Sequence, residues 1–184
     1  MRSASAAIRP APSRKVDFMF RILMISVAAL SLAACQGKTQ APVANQSPAS
    51  NAFLATNAKA PGVVVLPSGL QYKIVHSGPA TGIKPQLSDE VKVHYEGKLI
   101  TGKIFDSSYE RGQPAAMPLK GLVPGWQEAL QLMRPGDEWI LYVPAKLGYG
   151  DEGAGGGEIP PGAALIFRIE LIDVLPGPGR VQQG

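Results

Sequence analysis

Between Val91 and Glu96 apolar and polar positions alternate with a period of two. Val91, Val93 and Tyr95 fall on one side and Lys92, His94 and Glu96 on the other. This is the period of a half-buried strand, so Tyr95 is predicted to point inward with two valines. From Glu138 to Val143 the run sets Trp139, Leu141 and Val143 against Ile140 and Tyr142. Two apolar faces predict a central strand. Ala164 to Val174 places Leu165, Phe167, Ile169 and Leu171 opposite a mixed face with Arg168 and Glu170, which predicts one packed and one solvated face. A further strand is predicted around Leu70 to Val75, between the Pro67-Ser68-Gly69 turn and Gly78-Pro79. The period becomes helical after Val123-Pro124-Gly125, where Trp126, Ala129, Leu130 and Met133 share a stripe that ends at Pro135-Gly136-Asp137. Strands with one short helix and no βαβ rhythm predict an α+β domain, an antiparallel sheet with the helix on one face.

Upstream the pattern changes. Basic residues precede an apolar run from Ile22 to Ala34, followed by Cys35. That is the layout of a secretory signal, and as a helix the run would reach only about 20 Å, short of a bilayer core of roughly 30 Å. Leu32-Ala33-Ala34-Cys35 resembles a bacterial lipoprotein box, so residues 1–34 are expected to be a signal peptide and Cys35 the lipidated first residue of the mature chain. Residues 35–62 are rich in Ala, Asn, Gln, Pro, Ser and Thr, which predicts a flexible linker spanning on the order of 30 Å. A domain is expected over 63–175 and a disordered tail over 176–184.

The formal charge of +4 suggests an acidic partner until it is placed along the chain. Five of the 18 basic residues (Arg2, Arg9, Arg14, Lys15, Arg21) and one of the 14 acids (Asp17) precede Cys35, leaving 13 of each sign after it. The basicity belongs to the leader, and nothing points to nucleic acid. A single cysteine excludes an internal disulfide and a cysteine-rich zinc site. His76 and His94 lie in separate predicted strands with no clustered acids, so no metal is expected. Gly148-Tyr149-Gly150-Asp151-Glu152-Gly153 matches a dinucleotide fingerprint, but three glycines and Ile159-Pro160-Pro161-Gly162 follow where a helix must open. This stretch reads as a surface loop, with no cofactor. No G-x-S-x-G element stands out to carry hydrolase chemistry.

Tyr95, Phe105, Trp126 and Phe167 would serve as plain core in an arbitrary domain. Asp106, between Phe105 and Ser107, strains that reading, because a carboxylate among rings must be solvated or held by a partner.

VHYEGKL, FDSS, RG, VPGW, LGYG, IPP and LIF, in this order and spacing, resemble the FKBP-type peptidyl-prolyl cis-trans isomerases, bacterial envelope members above all. The resemblance runs from about Gly69 to Val174. It implies a twisted sheet curling around the Trp126 helix, with a pocket between them. It places Trp126 at the pocket floor, Phe105 and Phe167 against a prolyl ring, and Tyr149 as a hydroxyl donor to a substrate carbonyl. Asp106 lines the pocket with Tyr95, and Arg111 is its charge partner. Leu122, Val123 and Ile159 complete the substrate site, with the backbone N–H of Val123 or Ile159 orienting the chain. The family commonly has an aromatic after R-G-x-P, where this chain has Ala115-Ala116-Met117, so Met117 is expected to line one wall.

The activity so implied is rotation about X-Pro bonds in unfolded or partly folded polypeptides, with macrolides as possible inhibitors. The alternative is a periplasmic chaperone whose isomerisation is incidental. A lipid anchor implies membrane attachment in the bacterial envelope, facing the periplasm; the outer membrane is expected, with the inner membrane left open. Related envelope isomerases carry a long dimerising helix where this chain shows no heptads, so a monomer is expected.

Overall fold

The computed structural model describes residues 46–178. The signal segment, Cys35 and the tail beyond 178 lie outside the described residues. Among the described residues seven strands, β1 (Val63–Val65), β2 (Gln71–His76), β3 (Glu90–Leu99), β4 (Ile104–Ser107), β5 (Ala115–Pro118), β6 (Glu138–Val143) and β7 (Leu165–Leu175), form one sheet. Its order is β1-β2-β6-β7-β3-β4, and β5 pairs with the start of β3. Every pairing is antiparallel.

The expected strands fall into place. Val91 and Val93 are fully buried on β3 and Tyr95 nearly so. The doubly apolar β6 lies between β2 and β7. β1, β4 and β5 have only three or four residues, too few to register a period. Helix α2 (Pro124–Leu130) opens with Pro124 in its first turn behind an extended Val123, an arrangement suited to a residue with fixed φ and no N–H. Its Trp126, Ala129 and Leu130, with Met133 just beyond, are buried against the inward face of the sheet. Gly125 allows that approach, since a Cβ there would stand 2.7 Å from Cγ1 of Val143.

The flexible linker expected over 35–62 requires correction where it is described. Helix α1 (Pro48–Asn57) begins at Ser47, whose Oγ accepts the N–H of Ser50. It docks on the sheet face opposite α2: Phe53 approaches Tyr142 (centroids 6.0 Å apart), and Gln71, paired with Tyr142, donates to the Leu54 carbonyl at 2.9 Å. Asn57 donates to the other end of the Gln71 amide at 2.8 Å. The buried residues of α1 are Ser50 and Leu54. A helix held by one leucine and several polar groups has no apolar stripe for periodicity to find. Ser47-Pro48, a capping residue followed by proline, is the signal that was there to be read.

The tail is corrected at its start. Gly177 N–H donates to Oδ1 of Asp89 at 3.0 Å, and Gln86 N–H to Oδ2 at 2.8 Å, so this buried carboxylate ties the chain after β7 to the turn before β3.

Candidate active site

Between α2 and the inward face of β3, β4 and β7 lies an open cleft of about 260 Å³. Tyr95, Phe105, Asp106, Trp126, Tyr149 and Phe167 line it, together with Met117, Leu122 and Val123. Gly121 also lines it and was not anticipated; a glycine in a turn carries no signal of its own.

Phe105 and Asp106 are consecutive, and in a regular strand their side chains would point to opposite faces. The β3–β4 register resolves this: Gly97 pairs with Asp106, but Lys98 pairs with Ile104, which leaves Phe105 as an extra residue in a β-bulge. The bulge re-aims one side chain and lets ring and carboxylate share the cleft. On its other flank Gly97 pairs with Phe167. Since paired residues share a face, Asp106, Gly97 and Phe167 form a row across three strands.

The rings meet edge to face. Trp126 stands at 82° to Tyr95 and 89° to Phe167, each at 5.2 Å between centroids, and Phe105 stands at 87° to Phe167 at 5.7 Å. Such pairs contribute about 0.5–1.5 kcal/mol each beyond area burial, and they fix the walls relative to one another.

The carboxylate has the partners its position demands. Tyr95 Oη donates to Asp106 Oδ2 at 2.5 Å, and Arg111 donates to Asp106 Oδ1 and, at 2.8 Å, to Tyr95 Oη. The guanidinium also lies over the Tyr95 ring, 5.4 Å from its centroid. Burial pushes the Asp106 carboxyl upward, but hydrogen bonds from Tyr95 and Arg111 outweigh it and hold it below its ordinary value. Burial, with Asp106 beside it, raises the Tyr95 phenol, and the same two causes raise Tyr149. The Asp106 and Arg111 side chains are 42% and 46% exposed, so their pairing fixes geometry more than it adds stability.

Ser108, the second serine of FDSS, supports Tyr95 from behind. Fully buried, its Oγ accepts the Tyr95 N–H at 2.7 Å and donates to the Tyr95 carbonyl at 3.1 Å. His94 Nδ1 lies 2.9 Å from the same oxygen, and its ring stacks on Tyr109. His94 is thus a hydrogen-bonded strand residue.

Tyr149 comes from the 148–162 loop, where no helix opens at the glycines. A short turn at Gly155–Gly157 holds φ at +63°, +63° and +108°, which L side chains rarely adopt. Ile159 requires correction: it belongs to the core and is absent from the cleft lining, and its N–H donates to the Ala154 carbonyl at 3.1 Å. Ile159 is buried, and its backbone forms an isolated antiparallel bridge with Ala154. Among the described residues no three His, Cys, Asp or Glu side chains gather where a metal ion could bind, and no helix is long and apolar enough to cross a membrane.

Residues 81–172 match the family described as FKBP-type peptidyl-prolyl cis-trans isomerase, and residues 21–74 match the domain amino-terminal to it. The chain is 55% identical over 125 residues to the peptidyl-prolyl cis-trans isomerase Mip of Coxiella burnetii, a match covering 68% of this chain and 53% of that protein. It is 52% identical over 124 residues to the outer membrane protein MIP of Legionella longbeachae, covering 67% and 52%. The chain spans about half the length of these curated relatives. A crystal structure of a peptidyl-prolyl cis-trans isomerase from Pseudomonas syringae pv. tomato superposes with a TM-score of 0.64 at 41% identity, covering 70% of this chain and 92% of that one.

Proposed function

Because the chain belongs to the FKBP-type peptidyl-prolyl cis-trans isomerase family, we propose that its cleft accelerates rotation about X-Pro bonds in unfolded or partly folded polypeptides. The observation that carries this reading is the perpendicular aromatic enclosure with an ionised carboxylate held at its rim.

The barrier to rotation, about 18–20 kcal/mol, comes from amide resonance. A planar amide is polar and well solvated; a twisted one has lost its resonance and part of its polarity. A dry aromatic site therefore favours the twisted form relative to water, with no bond made to the substrate. Lowering the barrier by about 4–8 kcal/mol corresponds to roughly 10³- to 10⁶-fold. In this reading Trp126 is the floor, Phe105 and Phe167 flank the prolyl ring, and the Tyr149 hydroxyl donates to a substrate carbonyl. Asp106, fixed by Tyr95 and Arg111, acts electrostatically on the rotating carbonyl. Val123, Leu122 and Met117 bound the side on which flanking residues lie. Met117 offers a pliable wall, which suits permissive recognition and makes macrolide affinity a property to be measured.

The test is a protease-coupled assay with a proline peptide. Catalysed isomerisation that persists in the presence of a chelator supports the reading, and rates no faster than the uncatalysed reaction refute it. We further propose that Cys35 carries a lipid anchor in the bacterial envelope and that the protein works as a monomer; the Legionella relative's name supports the envelope assignment. Acyl labelling that survives Cys35→Ser refutes the anchor, and a dimer mass by light scattering refutes the monomer.

A further inference from the structure

The first turn of α1 runs beside residues 162–164, where the 148–162 loop enters β7. Ser47 N–H donates to the Gly162 carbonyl at 2.9 Å, and Ala164 N–H donates to Ser50 Oγ at 2.7 Å. Ser47 Oγ in turn donates to Ser50 Oγ at 2.9 Å, so the two serines form one clasp. Ser50 is 1% exposed and Ala164 fully buried, which leaves that N–H no water to turn to. The clasp leads directly to the cleft. Gly162 N–H donates to the Gly150 carbonyl at 2.9 Å, joining the two ends of the loop, and Gly150 follows Tyr149. Tyr149 is 39% exposed, so its place on the cleft depends on the loop's base more than on packing.

We propose that Ser50 is a positioning residue for the cleft, fixing the base of the 148–162 loop and through it the Tyr149 wall; this rests on the isomerase reading above. The helix that carries Ser50 lies on the far side of the sheet from α2. It therefore couples the segment preceding the domain to the substrate wall, without touching the substrate.

Tyr149 contacts ground and transition states alike in this scheme, so loosening it raises KM and leaves kcat nearly unchanged. The test compares Ser50→Ala with Asn57→Ala in the full chain. Asn57 holds the other end of α1 to Gln71 and does not touch the loop. Below the unfolding range of both variants, Ser50→Ala is expected to raise KM for a proline peptide by about fivefold, on the scale of one lost hydrogen bond. It is also expected to speed amide exchange at Gly162. Asn57→Ala should change neither. A wild-type KM and wild-type Gly162 exchange in Ser50→Ala overturn the proposal, as does an equal rise in KM in Asn57→Ala. A wild-type protein that turns over no proline peptide overturns the isomerase reading instead, and the Gly162 exchange still decides whether Ser50 holds the loop.

Discussion

Gly97 and Phe167 meet so closely that a methyl group on the glycine would stand 2.8 Å from Cε1 of that ring, and 2.7 Å from Cε2 of Phe105. The missing side chain is the gap into which two walls of the cleft fold. Gly97→Ala is expected to displace one or both rings, costing about 1–3 kcal/mol of stability as overpacking does, and to lower kcat/KM. Thermal unfolding and the peptide assay check this. A variant with unchanged melting and full activity shows that the rings are not held by this contact.

Desolvation by the rings and charge on Asp106 make different demands. Trp126→Ala and Phe105→Ala are each expected to lower kcat/KM more than Asp106→Asn, which keeps shape, removes charge and should cost about 1–3 kcal/mol. Truncating a large aromatic can itself destabilise by about 3–5 kcal/mol, so near-ultraviolet circular dichroism must show intact packing in each variant. If Asp106→Asn proves the most damaging of the three in folded protein, the enclosure is not the main source of acceleration.

The pH profile follows from the site's charges. Asp106 is held below its ordinary value, so its ionised form adds stability above the carboxylate range, and this is lost as pH falls through the lowered value. Tyr95 is held above its ordinary value, so its contribution is present below the phenol range and lost as pH rises through the raised value. Neither group titrates between about pH 6 and 8, and kcat/KM is expected to be flat there. A bell-shaped profile in that window would point to proton transfer and against rotation by desolvation.

Helix α1 makes a stability prediction distinct from the loop clasp. A chain beginning at Ala60 should fold, because the main core cluster lies wholly within the sheet, α2 and the loops between them. It should melt at lower temperature, since the buried Gln71 amide loses both of its α1 partners and Leu54 is removed. Each kcal/mol lost lowers the midpoint of a domain this size by about 4 °C. An unchanged midpoint means that α1 adds nothing to stability.

What could be read beforehand follows from how each residue is held. Tyr95, Trp139 and Phe167 stand in strands of six or more residues, where a period of two reports which way each faces. Phe105 and Asp106 share the cleft through a bulge, which alternation forbids; only the family resemblance anticipated their pairing. The same resemblance supplied Arg111, since sequence distance gives no account of a guanidinium reaching back to both Asp106 and Tyr95. It also suggested Ile159, which lies in the core cluster and off the cleft lining. α1 escaped notice because it docks through Ser50, Asn57 and backbone carbonyls, and composition mistakes such a helix for a linker.

The position of α1 also decides how the domain bears mechanical load. Tension on the chain ahead of residue 46 reaches Ser47 first, whose N–H holds Gly162 immediately before β7. β7 is the longest strand and is hydrogen-bonded along both flanks, to β3 and to β6. The three-residue edge strand β1, paired on one side only, lies further along the chain and is spared. While the two serine contacts hold, force is thus directed toward the most heavily paired strands of the sheet, and once they part it passes along α1 toward β1.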